Sequence, residues 1–558
     1  MPDTPGQPLT EVEQVKTSSR YLRGTIAESL ADHLTGAVAK GDTHLLKFHG
    51  TYQQDDRDLR KERARQKLEP AYEFMVRIRV PGGVLMPEQW LAIDRIAREY
   101  ANGTIRLTSR QSLQLHGVSK WELREVFQAI NRSGLTTMAA SGDVNRNIVC
   151  AANPQPPELH AELVDWSRRI GDHLAPHTTA YADLWLAETP GCGPRDDREP
   201  LYGPAYLPRK FKIAVAAPPS NDVDVFTNDL GLIAIIESGR IAGFNVSVGG
   251  GLGMSHGKAE TFPALGQVIG FCEPGQVIDL AEKVLLVERD FGDRTNRRHA
   301  RLKYILADRS VEWFQGELHA RLGWTLRPPR DYQFEYGADP LGWTEGPNGT
   351  HNLTLFIECG RAADVDGYPL LSILCEIADR HRGQFRLTPN HNLVVSGVPG
   401  NDRPRIEQLV REYQLDDGTR ASPVRHNALA CVALPTCGQA AAESERYLPR
   451  FITKLEAVLA EAGLEGESIG VRMTGCPNGC SRPYLAEIGI VGRAAGKYNL
   501  YLGGDAAGRR LNQLYREKLV EAELLDALRT VLNHYARERM PGEPFGAFAL
   551  RAGCVAPG

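Results

Sequence analysis

Hydrophobic and polar residues alternate in several short stretches of this chain and recur with helical spacing in others. FMVRIRV (74–80) alternates and runs into Pro-Gly-Gly, which is typical of a strand that ends in a turn. Residues 88–100 place their apolar side chains on one helix face. GTIRLTSRQSLQLHGV (103–118) then predicts a strand, a turn and a second strand. Helices interspersed with paired strands indicate a fold of the α+β class.

The strand–turn–strand pattern occurs twice. GTIRLTSRQSLQLHGV aligns without gaps on GQFRLTPNHNLVVSGV (383–398), with identical residues at seven of the sixteen positions. Farther along, Asn147 corresponds to Asn427, and GFNVSVGGGLG (243–253) resembles KYNLYLGGDAAG (497–508). Chance similarity is the alternative explanation. Two long copies in one chain predict a pseudo-twofold protein with a central site shared by its halves.

The length and net charge of the chain limit the classes of protein to which it can belong. The 558 residues predict three to five domains, and 65 basic against 69 acidic residues give a net charge of −4. That balance argues against a nucleic-acid binder held by bulk charge. The sequence shows neither a membrane-spanning apolar run nor a secretory signal, so the expected compartment is the cytoplasm. Cysteines are normally reduced there, and we interpret them first as ligands or core residues.

The N-terminal region is polar and charged. Residues 1–20 predict a mobile arm. DDRDLRKERARQK (55–67) is a run of charges that a solvated helix face explains, and a docking element for a partner is the alternative.

Four cysteines form two pairs in the second copy. Cys431 and Cys437 lie in CVALPTC, and Cys476 and Cys480 lie in GCPNGC. Two such pairs make a four-thiolate site if the fold brings them together. Zinc is one candidate for this site, in a zinc-stabilised binding module, although its usual knuckles are shorter. An iron–sulfur cluster is the other candidate, and the wider spacing favours it. The remaining cysteines are expected to be core or incidental thiols: Cys150, Cys192, Cys272, Cys359, Cys375 and Cys554.

Several basic residues lie in strand-like or turn-like segments and predict an anionic ligand. They are Arg77, Arg79, Arg106, Arg110, Arg146, Lys210 and Lys212. GGGLG (249–253) is a weak phosphate-loop signal, because it lacks the spacing of a nucleotide-binding fingerprint. The sequence contains no flavin or nicotinamide motif, so a redox protein of this sequence must receive its electrons from another protein.

The motifs CVALPTC and TGCPNGC resemble those of the sirohaem and iron–sulfur reductases for sulfite and nitrite. FHGTYQQDDRDLR, RLTSRQSLQLHG, DVNRN, YLPRKFK and NRRHARLKY extend the similarity through nearly the whole chain and favour the sulfite branch. The resemblance implies an assimilatory enzyme for the six-electron reduction of sulfite to sulfide. Its electrons would come from NADPH through a flavoprotein subunit, and a ferredoxin-dependent sulfite or nitrite reductase is the alternative.

The resemblance also implies a role for particular residues. Cys431, Cys437, Cys476 and Cys480 would hold a 4Fe–4S cluster, and Cys480 would also be the axial ligand of the sirohaem iron. The predicted catalytic cations around the substrate are Arg79, Arg146, Lys210 and Lys212. The predicted contacts to sirohaem carboxylates are Arg106, Arg110, Arg301 and Lys303.

The implied fold is α+β and pseudo-twofold, with two ferredoxin-like half-domains and two sirohaem- and cluster-binding α+β domains. The predicted order is an N-terminal arm and docking segment (1–67), the first half-domain (68–145), the first sirohaem-binding domain (146–330), the second half-domain (331–415) and the second sirohaem- and cluster-binding domain (416–558).

Overall fold

A computed structural model describes residues 9–153, 156–188 and 197–556, and Cys192 lies outside these described residues. The strands are β1 (Thr51–Asp55), β2 (Tyr72–Ile78), β3 (Val84–Leu85), β4 (Ile105–Leu107), β5 (Leu113–Val118), β6 (Val149–Cys150), β7 (Ile213–Ala216), β8 (Leu230–Glu237), β9 (Arg240–Val248), β10 (Gln267–Cys272), β11 (Gly342–Glu345), β12 (Thr350–Leu355), β13 (Arg361–Ala362), β14 (Asp364–Val365), β15 (Tyr368–Pro369), β16 (Gln384–Leu387), β17 (Leu393–Pro399), β18 (Ala428–Ala430), β19 (Val471–Thr474), β20 (Ile488–Ala494), β21 (Lys497–Leu502) and β22 (Gln513–Leu519).

The α-helices alternate with these strands along the chain. They are α1 (Glu11–Ser18), α2 (Ile26–Ala31), α3 (Asp42–Leu45), α4 (Arg60–Arg65), α5 (Pro87–Tyr100), α6 (Leu123–Arg132), α7 (Pro157–His173), α8 (Val277–Phe291), α9 (Leu302–Arg309), α10 (Val311–Leu322), α11 (Leu370–Arg380), α12 (Arg403–Glu412), α13 (Pro423–His426), α14 (Leu448–Glu461), α15 (Glu521–Glu538) and α16 (Phe545–Arg551). The predicted strand at 74–80 and helix at 88–100 correspond to β2 and α5, and α5 buries Trp90, Ile93 and Ala97.

Two antiparallel sheets follow the sequence repeat. The first has the order β1-β2-β5-β4-β13, and the second has the order β11-β12-β17-β16-β3. Each sheet therefore takes four strands from its own half and one short strand from the other half. Val84 lies opposite Arg386 across the β3–β16 pair, and Arg361 lies opposite Arg106 across the β13–β4 pair. This reciprocal exchange joins the halves and confirms the predicted pseudo-twofold relationship.

Two mixed sheets repeat the same symmetry. In the first, β6, β7 and β8 are parallel, and β9 and β10 complete the sheet as antiparallel strands. In the second, β18, β19 and β20 are parallel, followed by antiparallel β21 and β22. The segments GFNVSVGGGLG and KYNLYLGGDAAG thus begin in equivalent strands, β9 and β21, which explains their similarity.

The N-terminal region differs from the predicted arm. Residues 1–8 lie outside the described part of the chain, but the helix α1 that follows packs against the body of the protein. Lys16 is fully buried, donates to the Leu207 carbonyl at 2.6 Å and forms an ion pair with Glu13. β1 is an edge strand of the first sheet. The polar composition of this segment wrongly predicted a mobile arm, because the charges of Lys16 and Glu13 neutralise each other inside the protein.

Candidate functional site

The four predicted ligand cysteines lie on two loops at one edge of the second mixed sheet. Cys431 directly follows β18, and Cys476 comes two residues after β19. β18 and β19 are parallel neighbours, with Ala430 opposite Met473, so their carboxyl ends meet at the same edge. The fold thereby brings two cysteine pairs together that are far apart in the sequence.

The four thiols are close enough to influence one another. Burial raises the pKa of Cys431 and Cys476, and the charge of Cys480 raises both further. Burial and the charge of Cys431 raise the pKa of Cys437 to about 11. A set of thiols that disfavour each other's ionisation is suited to a cation that neutralises them together.

The donor set fits a cluster better than a single ion. Among the described residues, no three His, Cys, Asp or Glu side chains lie close enough to hold one metal ion. Sulfurs around one tetrahedral zinc would be only about 4 Å apart, since a Zn–S bond is about 2.3 Å. The Cys431 sulfur also accepts a hydrogen bond from the Gly475 N–H at 3.3 Å. Backbone donors of this kind tune a cluster's potential, so the geometry weighs against the zinc alternative.

Cys480 is exposed on the wall of a cavity of about 40 Å³. The basic residues that line this cavity are Arg110, Lys210, Lys212, Arg301 and Arg482. Five cations around one cavity suit a ligand with several negative charges, such as a tetrapyrrole that carries carboxylates.

Lys210 and Lys212 are the least compensated of these cations. Within the described part of the chain, neither ammonium group has a hydrogen bond or an ion pair. They flank the buried ring of Phe211, so the alternation predicted from YLPRKFK holds. Burial and neighbouring cations hold the pKa of both lysines well below its usual value. An anion in the cavity would restore their charge.

Arg146 is one of the cations that lower the pKa of Lys210, and it interacts with Tyr52. Its Nε donates to the Gly142 carbonyl at 2.8 Å. Arg77 lies over the same tyrosine ring, 5.6 Å from its centroid. Burial alone would raise the pKa of Tyr52, but Arg146, Arg77 and Lys47 outweigh it and lower the pKa to about 8. Tyr52 and Arg77 therefore belong to the cationic region. Arg77 was among the basic residues predicted to bind an anion, although not among the predicted catalytic residues, and Tyr52 was not predicted.

Arg79 lies apart from this group. Its guanidinium packs against Gly171 and lies 3.8 Å from the exposed carboxylate of Asp172, and its backbone N–H donates to the Thr136 carbonyl. β2 ends at Ile78, and Arg79 forms an isolated β-bridge with Thr136 instead. The resemblance implied Arg79 as a substrate cation, whereas the structure brings Arg77 rather than Arg79 close to Arg146.

Arg110 and Arg301 line the cavity as the resemblance implied. Arg110 donates to the Asn147 carbonyl at 2.6 Å and to Asn228 Oδ1 at 3.0 Å. Arg301 forms a 2.6 Å ion pair with the buried Asp229. A Cβ at Gly251 would lie 2.5 Å from Arg301 Nη1, so the glycine run at 249–253 makes room for this arginine.

Arg106 and Lys303 differ from the predicted carboxylate contacts. Arg106 donates to the Glu445 carboxylate and to the Ala430 carbonyl. Lys303 donates to the carbonyls of Gly251, Gly253 and Phe262. Because an ammonium has three donors, these bonds leave none for a cofactor. Lys303 instead fixes the loop that forms one wall of the cavity.

Arg482 lines the cavity although it was not predicted. It forms a 2.8 Å ion pair with Asp224 and donates to the Pro389 carbonyl at 2.7 Å. Its backbone is left-handed, with φ of 59°. The signal in the sequence was its position two residues after Cys480.

Comparison with protein families gives two matching models. The nitrite and sulphite reductase 4Fe-4S domain matches residues 165–326, and the nitrite/sulfite reductase ferredoxin-like half domain matches residues 66–133 and 344–413. The two half-domain matches fall on the two antiparallel sheets, so the predicted ferredoxin-like halves are confirmed. The five-part domain division stays a prediction.

Individual proteins resemble the chain over its whole length. The sulfite reductase (NADPH) hemoprotein beta-component of Geobacillus kaustophilus is 54% identical over 99% of this chain and 97% of its own. The corresponding protein of Myxococcus xanthus is 56% identical over 98% of this chain and 97% of its own. The structure of the Mycobacterium tuberculosis NirA protein matches with a TM-score of 0.78 and 25% identity, over 98% of this chain and 97% of that one. None of the described helices has the length and apolar character needed to cross a membrane.

Proposed function

The chain belongs to the nitrite and sulfite reductase family, and from that premise we propose that it is the haemoprotein component of an assimilatory sulfite reductase in the cytoplasm. It is an oxidoreductase that reduces sulfite to sulfide. The observation that carries this proposal concerns the four-thiol group, which consists of Cys431, Cys437, Cys476 and Cys480. Through Cys480 it opens onto a cavity where Lys210 and Lys212 have no counterion among the described residues. Thiolates that hold iron and cations that hold an oxyanion are then adjacent.

The residues fit two cofactors. Cys431, Cys437, Cys476 and Cys480 would hold a 4Fe–4S cluster, and Arg110, Arg301 and Arg482 would hold the carboxylates of a sirohaem in the cavity. Cys480 is proposed as the shared ligand because it is the thiol on the cavity wall. When bound, this pair supplies electrons in single steps to the sulfur atom of the substrate.

The side chains contribute charge and protons. Lys210, Lys212 and Arg146 bind the oxygens of the anion, with Arg77 replacing the predicted Arg79. Each oxygen leaves as water and therefore takes two protons. A lysine whose pKa is held low by burial gives up its proton readily, so Lys210 and Lys212 are suited to act as general acids. They are then recharged from water in the cavity.

The proposed electron donor is a flavoprotein subunit that carries electrons from NADPH. We place its docking surface on α4, which buries none of its side chains and carries Arg60, Lys61, Arg63 and Arg65. Arg57, just before this helix, donates to the Ala440 carbonyl at 2.6 Å and to the Cys437 carbonyl at 3.4 Å. A partner on α4 would therefore lie beside the loop that carries Cys437.

Two experiments test the function and the donor. A visible spectrum of the purified protein, with iron and sulfide analysis, should show sirohaem absorption in the red and one cluster per chain; a colourless protein would refute the proposal. Sulfite turnover should then be supported by the flavoprotein with NADPH. Turnover with reduced ferredoxin alone would favour the ferredoxin-dependent alternative.

A further inference from the structure

The pseudo-twofold relationship gives Arg106 a counterpart, Arg386, in the second copy of the RLT motif. Arg106 is buried and neutralised, because the Glu445 carboxylate binds it. Glu445 also binds Arg361, the residue opposite Arg106 on the neighbouring strand. One carboxylate thus serves two guanidinium groups in the first copy.

Arg386 has no such partner. It is only 9% exposed, and within the described residues its guanidinium makes neither a hydrogen bond nor an ion pair. Its Nε is completely buried and unpaired. The residue opposite it on the neighbouring strand is Val84, where the first copy has Arg361. The described part of the second copy therefore keeps the buried cation without a carboxylate.

The electrostatics of Arg386 are unbalanced. Burial lowers its pKa to about 10, so the group is still charged at neutral pH. The one neighbour that favours its charge is Cys150, and burial raises the pKa of that thiol so that it stays neutral. A buried cation without a counterion is strongly unfavourable.

A second unpaired donor lies beside Arg386. His160 is 3% exposed, its Nε2 has no partner, and it interacts electrostatically with Arg386. Burial and Arg386 lower its pKa to about 3, so the ring is neutral and has one N–H to donate. His160 belongs to the first turn of α7, and its own backbone N–H donates to the Pro156 carbonyl at 2.9 Å. The N–H groups of Glu158 and Leu159 lack helical acceptors and favour negative charge, part of which the exposed Glu158 side chain supplies.

We propose that Arg386, His160 and the first turn of α7 bind a small inorganic oxyanion of the sulfate or phosphate type. This ligand would supply the charge that Glu445 supplies to Arg106. Arg386 belongs to the second antiparallel sheet, and α7 follows the first, so the bound anion would hold the two halves together. Neither Arg386 nor His160 lines the substrate cavity.

Crystals of the holoenzyme soaked in selenate test the proposal directly. The expected result is an anomalous selenium peak within hydrogen-bonding distance of the Arg386 guanidinium. If selenate fills the substrate cavity at the same concentration but leaves no peak at Arg386, the proposal is wrong.

Thermal unfolding of the holoenzyme in sulfate, against chloride at equal ionic strength, provides a second test. Sulfate also meets the cations of the substrate cavity, so the informative comparison is between Arg386→Met and Arg382→Met, an exposed arginine four residues away. We expect the saturable rise in Tm to be about 2–4 °C larger in Arg382→Met. In sulfate-free buffer Arg386→Met should be at least as stable as the unmodified protein. An equal sulfate response in the two variants would overturn the assignment.

Discussion

Lys212 and Cys480 line the same cavity, and the charge of Cys480 favours the ammonium form of Lys212. Burial, Arg110 and Arg301 act in the opposite direction and dominate. The lysine therefore lies near the Cys480 sulfur but is short of negative charge. An anion that enters the cavity would favour the ammonium form of Lys212. Substrate binding is thereby coupled to protonation of the side chain that would act on the substrate.

Lys212→Ala should retain both cofactors and lose most sulfite turnover. Loss of a general acid lowers the rate by about 10²- to 10⁴-fold. The measurement is turnover with reduced methyl viologen, together with the visible spectrum. Lys454→Ala is the control, because Lys454 is an exposed lysine whose surface ion pair contributes little. Near-normal turnover in Lys212→Ala would remove this residue from the active site.

Cys480→Ser should uncouple the two cofactors. Cys480 is the thiol on the cavity wall, so its replacement removes the sulfur proposed to be shared between them. Mössbauer spectroscopy would show the loss of magnetic coupling. Cys554→Ser, which changes a cysteine outside the four-thiol group, should leave the coupling intact. Coupling that survives in Cys480→Ser would reject the bridging role.

Arg77→Gln and Arg79→Gln should differ in their effect on substrate binding. Arg77 lies over Tyr52 beside Arg146, whereas Arg79 faces Asp172. Loss of a charged hydrogen bond to the anion should raise the KM for sulfite about 10- to 100-fold in Arg77→Gln. Arg79→Gln should change KM less than about twofold and lower thermal stability instead, because a buried group is lost. The opposite order of the two KM values would restore the role predicted for Arg79.

These arginines show what the sequence could and could not predict. The repeat identified the pseudo-twofold fold, and the cysteine spacing identified the four-thiol group, because both depend on local motifs. The resemblance implied Arg79 as a substrate cation, and no local pattern separates it from Arg77 two residues earlier; only their contacts with Asp172 and Tyr52 distinguish the two.

The roles of other residues depend on long-range contacts, which no local sequence pattern can predict. Lys303 meets three carbonyls of a loop formed some 40 to 50 residues earlier in the chain. Lys16 is buried by partners that include Leu207, which is 191 residues away. The exchanged strands β3 and β13 have two residues each, too few for a hydrophobic period.

Tyr52 predicts a pH dependence of substrate binding. Its pKa of about 8 means that the phenol is neutral below that pH and becomes a phenolate above it. A phenolate cancels part of the charge of Arg146 and Arg77, so the KM for sulfite should rise several-fold from about pH 7 to about pH 9. Tyr52→Phe cannot ionise and should remove this rise. Tyr72→Phe, at the far end of β2, should keep it. An unchanged pH profile in Tyr52→Phe would exclude Tyr52 from the site.

Charge reversal on α4 tests docking of the electron donor separately from the reduction of sulfite. Lys61→Glu/Arg65→Glu replaces two exposed basic side chains on a helix that buries nothing, so the fold should be retained. If the donor docks there through acidic groups, association slows about tenfold or more at low salt. Turnover with NADPH and the flavoprotein should fall accordingly, while turnover with methyl viologen stays unchanged.

Arg382→Glu/Arg411→Glu makes the same charge change at exposed positions of the second half and should affect neither assay. Equal flavoprotein-driven rates in the two double variants would place the docking surface elsewhere. Deletion of residues 1–60 is not equivalent, because it also removes β1 from the first sheet and the buried Lys16.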